Sequence, residues 1–202
     1  MIASNAPPHW ALAILQRHGA LQPLDSLAEA SGLAAMASGG LLVMAQPRPL
    51  SPQENVALDR WVRGGGHLLL FADPMLTADS IFALGDKRRP QDIVLLSPIL
   101  TRWGLALTFD EDQPGGEHVV DWEGADRDGA KLPVNLPGRF ALLANSRNCR
   151  LLADGLGARC RIGKGGVLAL ADAALLEDRA ADATQNKAAL LEQLLIAAAL
   201  QN

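Results

Sequence analysis

The sequence predicts an α/β fold built on a mainly parallel sheet, with an antiparallel hairpin region around 105–162. Three short runs are almost continuously apolar, as is typical of strands buried on both faces of a parallel sheet. They are Gly40–Pro47, His67–Ala72 and Val167–Asp172. A helix-like segment separates the first two runs, which is the pattern of a βαβ unit. Between residues 105 and 162, short apolar runs alternate with Gly, Pro, Asn and Asp, a spacing typical of hairpins.

Length and composition favour a single α/β domain over residues 1–202, with 105–162 as its antiparallel insertion or extension. Hydrophobic residues make up 49% of the chain and charged residues 20%, a composition that supports a packed core. The net charge of −4 disfavours nucleic acid as a partner, because nonspecific binding depends on a basic surface. No apolar run reaches about 18 residues, so we expect no membrane-spanning segment in this chain.

The helix predicted over Ser51–Arg63 has unusually complete start signals. Ser51 is expected as the N-cap, Pro52 as the first helical residue, and Glu54 as the acidic partner in a capping box. Gly64 is expected to end the helix in a left-handed conformation. Further helices are predicted at His9–His18, at Leu24–Ser31, from Ser97 to Trp103 and at about Asn186–Leu200, and a further strand is predicted at Gln91–Leu96.

Three consecutive glycines, Gly64–Gly66, join this helix to the next apolar run. In phosphate-binding loops the glycines follow a strand and open a helix, so that backbone N–H groups face the anion. Here the order is reversed, and the glycines lie at the negative end of the helix dipole. We therefore interpret the run as a joint between two elements, and the glycines that precede the run at Val167–Asp172 in the same way.

Candidate ligand-binding residues follow from the predicted sheet. The carboxyl ends of parallel strands meet at one edge, where ligands bind in open α/β sheets. Gln46, Asp73 and Asp172 are the polar residues at the ends of the three apolar runs, so we expect them to lie together and to bind a ligand. Two interpretations of the aspartates stay open. They bind a cation, a sugar hydroxyl or a substrate amine, or each of them caps the following loop or helix.

Other catalytic and metal-binding patterns are absent from the sequence. No nucleophile elbow and no zinc-binding histidine spacing occurs. Cys149 and Cys160 are too few for a structural zinc site. A single disulfide between them is an open alternative, but two inert thiols are favoured, and neither cysteine is expected to be a nucleophile. We expect no cofactor and no metal ion.

The blocks LLVMAQPRPLSPQENVALDRWVRGGGHLLLFADPML and GKGGVLALADAALLED resemble uncharacterised domains related to the soluble part of gliding-motility-type ABC transporter auxiliary proteins. Those domains are similar to the class I glutamine amidotransferase-like fold, a flavodoxin-like sandwich, so the resemblance implies that fold. It implies no amidotransferase activity, because no cysteine follows HLLLFA. It also implies a first strand before the helix at His9, so we expect the chain to be truncated or to begin differently.

Two functions are consistent with these observations. The first is a non-catalytic domain that binds a small-molecule ligand or a partner, with ABC transporter subunits or other envelope proteins as the partners that the resemblance implies. The second is a hydrolase or transferase that uses Asp73 and Asp172 on a sugar-like small molecule. A purely structural subunit is a third class and would have no pocket at the strand ends. The sequence leaves the location open among a soluble, a cytoplasmic and a partner-mediated membrane-associated protein.

Overall fold

The computed structural model describes residues 9–29, 32–36, 39–80, 82–83, 85–86, 89–122, 130–177 and 181–200. Within these ranges the α-helices are α1 (Trp10–Arg17), α2 (Pro52–Arg63), α3 (Ser97–Trp103) and α4 (Ala181–Ala199). The strands are β1 (Leu41–Ala45), β2 (His67–Phe71), β3 (Leu105–Thr108), β4 (His118–Trp122), β5 (Ala130–Val134), β6 (Arg139–Leu142), β7 (Cys149–Leu152), β8 (Gly157–Ile162) and β9 (Gly165–Leu170). Short 3₁₀ turns lie at Leu33–Ala35, Ala153–Gly155 and Ala174–Leu176.

The main sheet has five strands in the order β1-β2-β9-β8-β7. β1, β2 and β9 are parallel, which confirms the prediction made from the three apolar runs. β8 and β7 continue the sheet in antiparallel orientation, while β3 pairs with β6 and β4 with β5 as separate antiparallel pairs. The predicted antiparallel character of 105–162 is therefore confirmed. The predicted flavodoxin-like sandwich is wrong, because two of the four strand pairings in the main sheet are antiparallel and the sheet is mixed.

The apolar strands are buried because both faces of the sheet are covered. Leu68 and Leu70 of β2 pack in the core formed with α2 and α3. Leu69 and Phe71 point to the opposite face and pack in the core formed with α1 and α4. Successive side chains of a strand point to opposite faces, so a strand covered on both sides needs apolar residues throughout.

The predicted capping box of α2 is confirmed. Ser51 Oγ accepts from the Glu54 backbone N–H at 3.2 Å, and the Glu54 carboxylate accepts from the Ser51 backbone N–H at 3.0 Å. The glycine run does join α2 to β2, but Gly64 has a right-handed φ of −77°. Gly65 adopts the positive φ, at 119°, so the prediction placed the residue with positive φ one position too early in the chain.

Two predicted elements are wrong. No helix forms in the described part of Leu24–Ser31, which covers residues 24–29. This segment is held as a loop, because the Leu27 backbone N–H donates to the Glu54 carboxylate at 3.2 Å. Gln91–Leu96 contains no strand. It passes the ends of β1 and β2 instead, where the Gln91 carbonyl accepts from the Gln46 side chain and the Val94 N–H donates to the Asp73 carbonyl at 3.2 Å.

The favoured interpretation of the cysteines is also wrong, because Cys149 and Cys160 form a disulfide. The two residues are directly opposite each other on β7 and β8. Their neighbours Asn148 and Arg161 make a ladder hydrogen bond of 2.8 Å, which makes the cysteines a non-hydrogen-bonded pair, the kind whose side chains are closest. Sequence spacing could not reveal this register.

The starts of two helices differ from the predictions. α4 begins at Ala181, five residues before the predicted Asn186, and α3 has Leu96 as its N-cap without a side-chain cap. Among the described residues, no helix is long and apolar enough to cross a membrane.

Candidate functional site

The ends of the three parallel strands lie at the same edge of the sheet. Ala45, Phe71 and Leu170 are level in the strand register. Beyond them the pairing continues, since the Gln46 N–H donates to the Phe71 carbonyl at 3.0 Å and the Ala72 N–H to the Leu170 carbonyl at 2.8 Å. Asp73 and Asp172 each lie two residues past the aligned positions, so the structure brings the predicted polar residues to adjacent strand ends.

The Gln46 side chain connects the end of β1 to the end of β2. Its amide oxygen accepts from the Asp73 backbone N–H at 2.9 Å, and its amide nitrogen donates to the Asp73 carbonyl at 2.8 Å. The same nitrogen donates to the Gln91 carbonyl at 2.8 Å. Gln46 has a left-handed backbone with φ of 47° and is 4% exposed. Its side chain therefore replaces the backbone hydrogen bonds that β1 would make to β2 if β1 had not already turned away from the sheet.

The two aspartates are buried and accept hydrogen bonds from the backbone on both carboxylate oxygens. Asp73 accepts from Met75 N–H at 2.8 Å and from Ala173 N–H at 3.1 Å. Asp172 accepts from Ala174 N–H at 2.7 Å and from Asn135 N–H at 2.9 Å. Each carboxylate thus stabilises the turn that follows its own strand and ties it to a neighbouring segment, as the capping interpretation requires. Ligand contact by these groups stays a prediction.

Burial dominates the electrostatics of this pair. It raises the pKa of Asp73 to about 6, and the negative charge of Glu177 acts in the same direction. Burial also raises the pKa of Asp172 to about 8, with the charge of Asp73 as the next largest cause. The backbone N–H groups favour the ionised forms and oppose both shifts. The folded protein therefore binds protons at these carboxyls more tightly than an unfolded chain does.

A chain of polar side chains continues from Asp172 along this edge. The Asn135 side-chain amide donates to the Thr77 hydroxyl, and that hydroxyl donates to the Glu177 carboxylate, each at 2.9 Å. The buried Lys187 ammonium donates to the Ala174 carbonyl at 3.0 Å. Sequence reasoning missed these residues, since they come from loops and from a helix far along the chain and no local pattern relates them.

A groove of about 1440 Å³ opens beside the outer edge of β1. One side is β1 itself, together with Gln46, and the opposite side is the loop 20–27. Arg48 and Glu54 lie at the end towards which β1 runs. Gln46 is the only member of the predicted trio among the residues that line this groove; Asp73 and Asp172 lie behind the strand ends.

Glu54 organises this end of the groove. Its oxygens accept from the Arg48 guanidinium at 2.7 and 2.9 Å, in the paired geometry that is strongest for arginine and carboxylate. They also accept from the Leu27 and Ser51 backbone N–H groups. The Arg48 guanidinium is the main cause that lowers the pKa of Glu54 to about 2. The sequence indicated Glu54 as a capping residue, but its contact with the loop 20–27 depends on tertiary structure.

The described residues contain no group of three or more His, Cys, Asp or Glu side chains arranged to hold a metal ion. The aspartates are 1% and 3% exposed, so an approaching substrate would first have to displace the backbone N–H groups that hold them. In this arrangement the carboxylates can order turns and bind protons.

A family model described as a domain of unknown function, DUF4350, matches residues 12–195. The chain belongs to the DUF4350 family. No curated protein matches it.

Solved structures similar to this DUF4350 chain include three glycosidases. An exo-β-1,4-mannosidase, Op5Man5 from Opitutaceae bacterium strain TAV5, is 18% identical with a TM-score of 0.50, and the match covers 92% of this chain and 30% of that one. A β-galactosidase from Rahnella sp. R3 is 12% identical with a TM-score of 0.46, covering 78% of this chain and 22% of that one. A β-galactosidase from Bacillus circulans sp. alkalophilus is 13% identical with a TM-score of 0.47, covering 79% and 22%.

The mannosidase likeness shows a shared fold alone, and this chain spans less than a third of the length of those structures. The predicted relationship to ABC transporter auxiliary proteins and to the glutamine amidotransferase-like fold is wrong, because the family is DUF4350 and the similar structures are glycosidase chains. The motif that carried the resemblance was strand, proline, capped helix, glycine and strand. These residues meet the general requirements of a βαβ unit, so they do not distinguish one family from another.

Proposed function

We propose that this DUF4350 chain is a non-catalytic binding domain and that the groove beside β1 is its binding surface. The observation that carries the proposal is the contrast between the groove and the buried carboxylates. The groove reaches the strand-end edge at Gln46, whereas all four carboxylate oxygens of Asp73 and Asp172 accept from backbone N–H groups.

The three predicted site residues have different roles in this proposal. Gln46 lines the groove, and its amide keeps the ends of β1 and β2 together at the groove. Asp73 and Asp172 hold the turns behind the groove and position them. The partner class of ABC transporter subunits and envelope proteins followed only from the corrected resemblance, so no such partner is proposed.

A carboxylate-dependent hydrolase is the less favoured function. General acid–base catalysis requires a carboxyl group within hydrogen-bond reach of the substrate, and the aspartates are 1% and 3% exposed. Burial is the main structural cause of their raised pKa values; the charge of Glu177 also raises both, and the charge of Asp73 raises that of Asp172. The likeness to a mannosidase adds nothing to the enzyme hypothesis, because it shows the fold alone.

The location of the binding surface can be tested with a displayed library of random linear peptides and a panel of immobilised oligosaccharides. Ala45 is exposed at the rim of the groove, so Ala45→Arg should weaken the binding of selected ligands by at least about tenfold, a loss of about 1.4 kcal/mol. Val119→Arg is the matched control, since Val119 is 61% exposed on β4 and does not line the groove. Ligands that bind both variants equally well would contradict the proposed surface.

The absence of catalysis is tested separately with chromogenic glycosides and esters. We expect no turnover above that of a heat-denatured sample. Turnover that disappears in a folded Asp73→Asn/Asp172→Asn variant would contradict the non-catalytic proposal and favour the hydrolase.

A further inference from the structure

We propose that the groove binds an extended segment of a partner polypeptide, which adds to the outer edge of β1 as a further strand of the main sheet. This inference rests on the proposed binding groove and names its occupant. The partner segment is apolar over about five residues, the length of β1, which corresponds to about 17 Å of strand. A basic residue follows or precedes the apolar stretch at the end of the groove where Arg48 and Glu54 lie.

The backbone of β1 supplies the first argument. Among the residues that the structure describes, β1 is the terminal strand of the sheet and pairs with β2 alone. The Gly40 carbonyl accepts from His67 N–H, and Gln46 N–H donates to the Phe71 carbonyl. Because hydrogen-bonding direction alternates along a strand, the even-numbered residues from 40 to 46 face β2, and Leu41, Val43 and Ala45 direct their N–H and C=O groups outward.

Within the described part of the chain, no hydrogen bond reaches these three outward N–H groups or three outward carbonyls. They point into the groove, which is lined by every residue of β1. Three donors and three acceptors at strand spacing are the template on which an extended peptide pairs in β-augmentation. A compact ligand such as a sugar cannot satisfy all of them in register.

The opposite edge of the same sheet shows how unusual the β1 edge is. β7 has four residues, contains the exposed Arg150, and is linked to β8 by the disulfide. Charged residues and short length are devices that protect sheet edges from unwanted pairing. The five residues of β1, LLVMA, contain neither a charge nor a proline. The β1 edge therefore lacks the protection that the β7 edge has, which is expected of an edge that a partner covers.

Side chains on both faces of β1 predict an apolar partner. On one face Leu15 and Val43 are partly buried against the core that contains α1 and α4. On the other face Leu24 and Met36 are partly buried against the core that contains α2 and α3. Leu15, Val43, Leu24 and Met36 all line the groove. Successive side chains of an added strand would point to opposite faces and meet an apolar wall on each. The side chains on both faces of the partner strand should therefore be apolar.

Charge at one end of the groove indicates where the partner carries a basic residue. Among the described residues that line that end, Glu54 pairs with Arg48 and Asp92 pairs with Arg89. Asp25 adds a third carboxylate, which gives these five residues a formal charge of −1. A lysine or arginine flanking the partner strand complements this charge. A second copy of this chain, paired antiparallel through its own β1, would bring Gly39 and Gly40 to this end. Those residues are uncharged, so a different polypeptide fits better than self-pairing.

Amide hydrogen exchange measured by NMR tests the inference directly. The probe is a linear peptide selected from the random library on the wild-type domain. On binding, the amides of Leu41, Val43 and Ala45 should become protected by at least about tenfold, because each gains a hydrogen bond. The amides of Leu42 and Met44 already bond to β2 and should change much less. Equal changes at odd and even positions, or no change at either, would overturn strand addition.

A pair of proline variants provides the second test. Val43→Pro removes one outward N–H and leaves the β1–β2 ladder intact, as prolines do on edge strands, so peptide affinity should fall at least about tenfold. Leu151→Pro on β7 is the matched control, and it should leave binding unchanged. Leu151 lies opposite Ala158 in a non-hydrogen-bonded pair, so its N–H also points away from the sheet. Val43→Ala keeps the N–H but shortens the same side chain of the groove wall, so its loss of affinity should be clearly smaller than that of Val43→Pro. Circular dichroism checks the fold of each variant, and the exchange experiment does not depend on them.

The remaining outcomes separate this inference from the proposed function. If oligosaccharides but no linear peptides compete for the groove and are lost in Ala45→Arg, the binding groove stands and strand addition is overturned. If sedimentation shows a dimer that Val43→Pro dissociates, the occupant is a second copy and the hetero-partner is overturned. If selected peptides bind Ala45→Arg as well as wild type, both the groove and the strand addition are overturned.

Discussion

The parallel and antiparallel halves of the main sheet are held together at their ends by different interactions. In the parallel half (β1, β2 and β9), the strands end in buried turns whose N–H groups are satisfied by the side chains of Gln46, Asp73 and Asp172. In the antiparallel half (β8 and β7), hairpin pairing satisfies the backbone and a disulfide joins the strands. A parallel strand must leave the sheet through a long connection, so buried polar side chains complete its hydrogen bonding.

The difference predicts that the parallel half depends more on single polar side chains. Asp172→Ala should lower the free energy of unfolding by about 3 kcal/mol, because two buried N–H groups lose their acceptor. Asp172→Asn keeps one acceptor and should cost about half as much. Denaturant unfolding measures both values. Asp121→Ala is the control on the exposed face of β4, and a cost for Asp172→Ala as small as that of the control would contradict the comparison.

The antiparallel half should depend on its covalent link. The disulfide closes a loop with a sequence separation of 11, so Cys149→Ala/Cys160→Ala should lower the free energy of unfolding by about 2.5 kcal/mol under oxidising conditions. Adding a reductant should bring wild type to nearly the same stability as the double variant. A wild-type stability that does not respond to reductant, with free thiols detected in the folded protein, would show that this half does not need the link.

A pH titration of stability distinguishes the two halves without removing a contact. The pKa values of Asp73 and Asp172 are raised to about 6 and about 8, so the folded state retains protons that the unfolded state has lost. Their stabilising contribution is complete below the ordinary aspartate pKa of about 4 and is lost as the pH rises through the raised values. Between pH 5 and pH 8 the free energy of unfolding should fall by more than about 1 kcal/mol.

The Asp73→Asn/Asp172→Asn variant should flatten that pH profile, because neither amide titrates. The Cys149→Ala/Cys160→Ala variant should keep the wild-type slope at lower overall stability. A double asparagine variant with the same slope as wild type would show that other groups produce it.

The smallest expected effect is at the start of α2, which lies in the parallel half. Ser51→Ala removes the acceptor of the Glu54 backbone N–H and should cost about 1 kcal/mol. Ser51→Thr keeps the hydroxyl and should cost less. Because Glu54 also holds Arg48 and Leu27, exchange of the Leu27 amide reports whether loss of the cap disturbs the groove. An unchanged unfolding free energy would mean that the Glu54 carboxylate alone maintains this helix start.

Local chemistry made much of the fold predictable. Continuous apolarity indicated the three parallel strands, because a strand covered on both faces needs apolar residues throughout. The antiparallel runs followed from the local preferences of turn residues. The capping box of α2 was also readable, since Ser51, Pro52 and Glu54 act within one helical turn. The residues at the strand ends could be listed for the same reason: parallel strands end at a common edge.

What the sequence determined by itself was therefore the three parallel strands, the capped helix α2 and the polar residues at the strand ends. Tertiary structure decided the rest. It placed β8 and β7 beside β9, paired Cys149 with Cys160, and made residues 24–27 of the expected helix part of a groove wall. It also gave the carboxylates of Asp73 and Asp172 their backbone partners. Each of these outcomes depends on contacts between segments far apart in the chain, and such contacts are set by how the whole core packs, which no local pattern encodes.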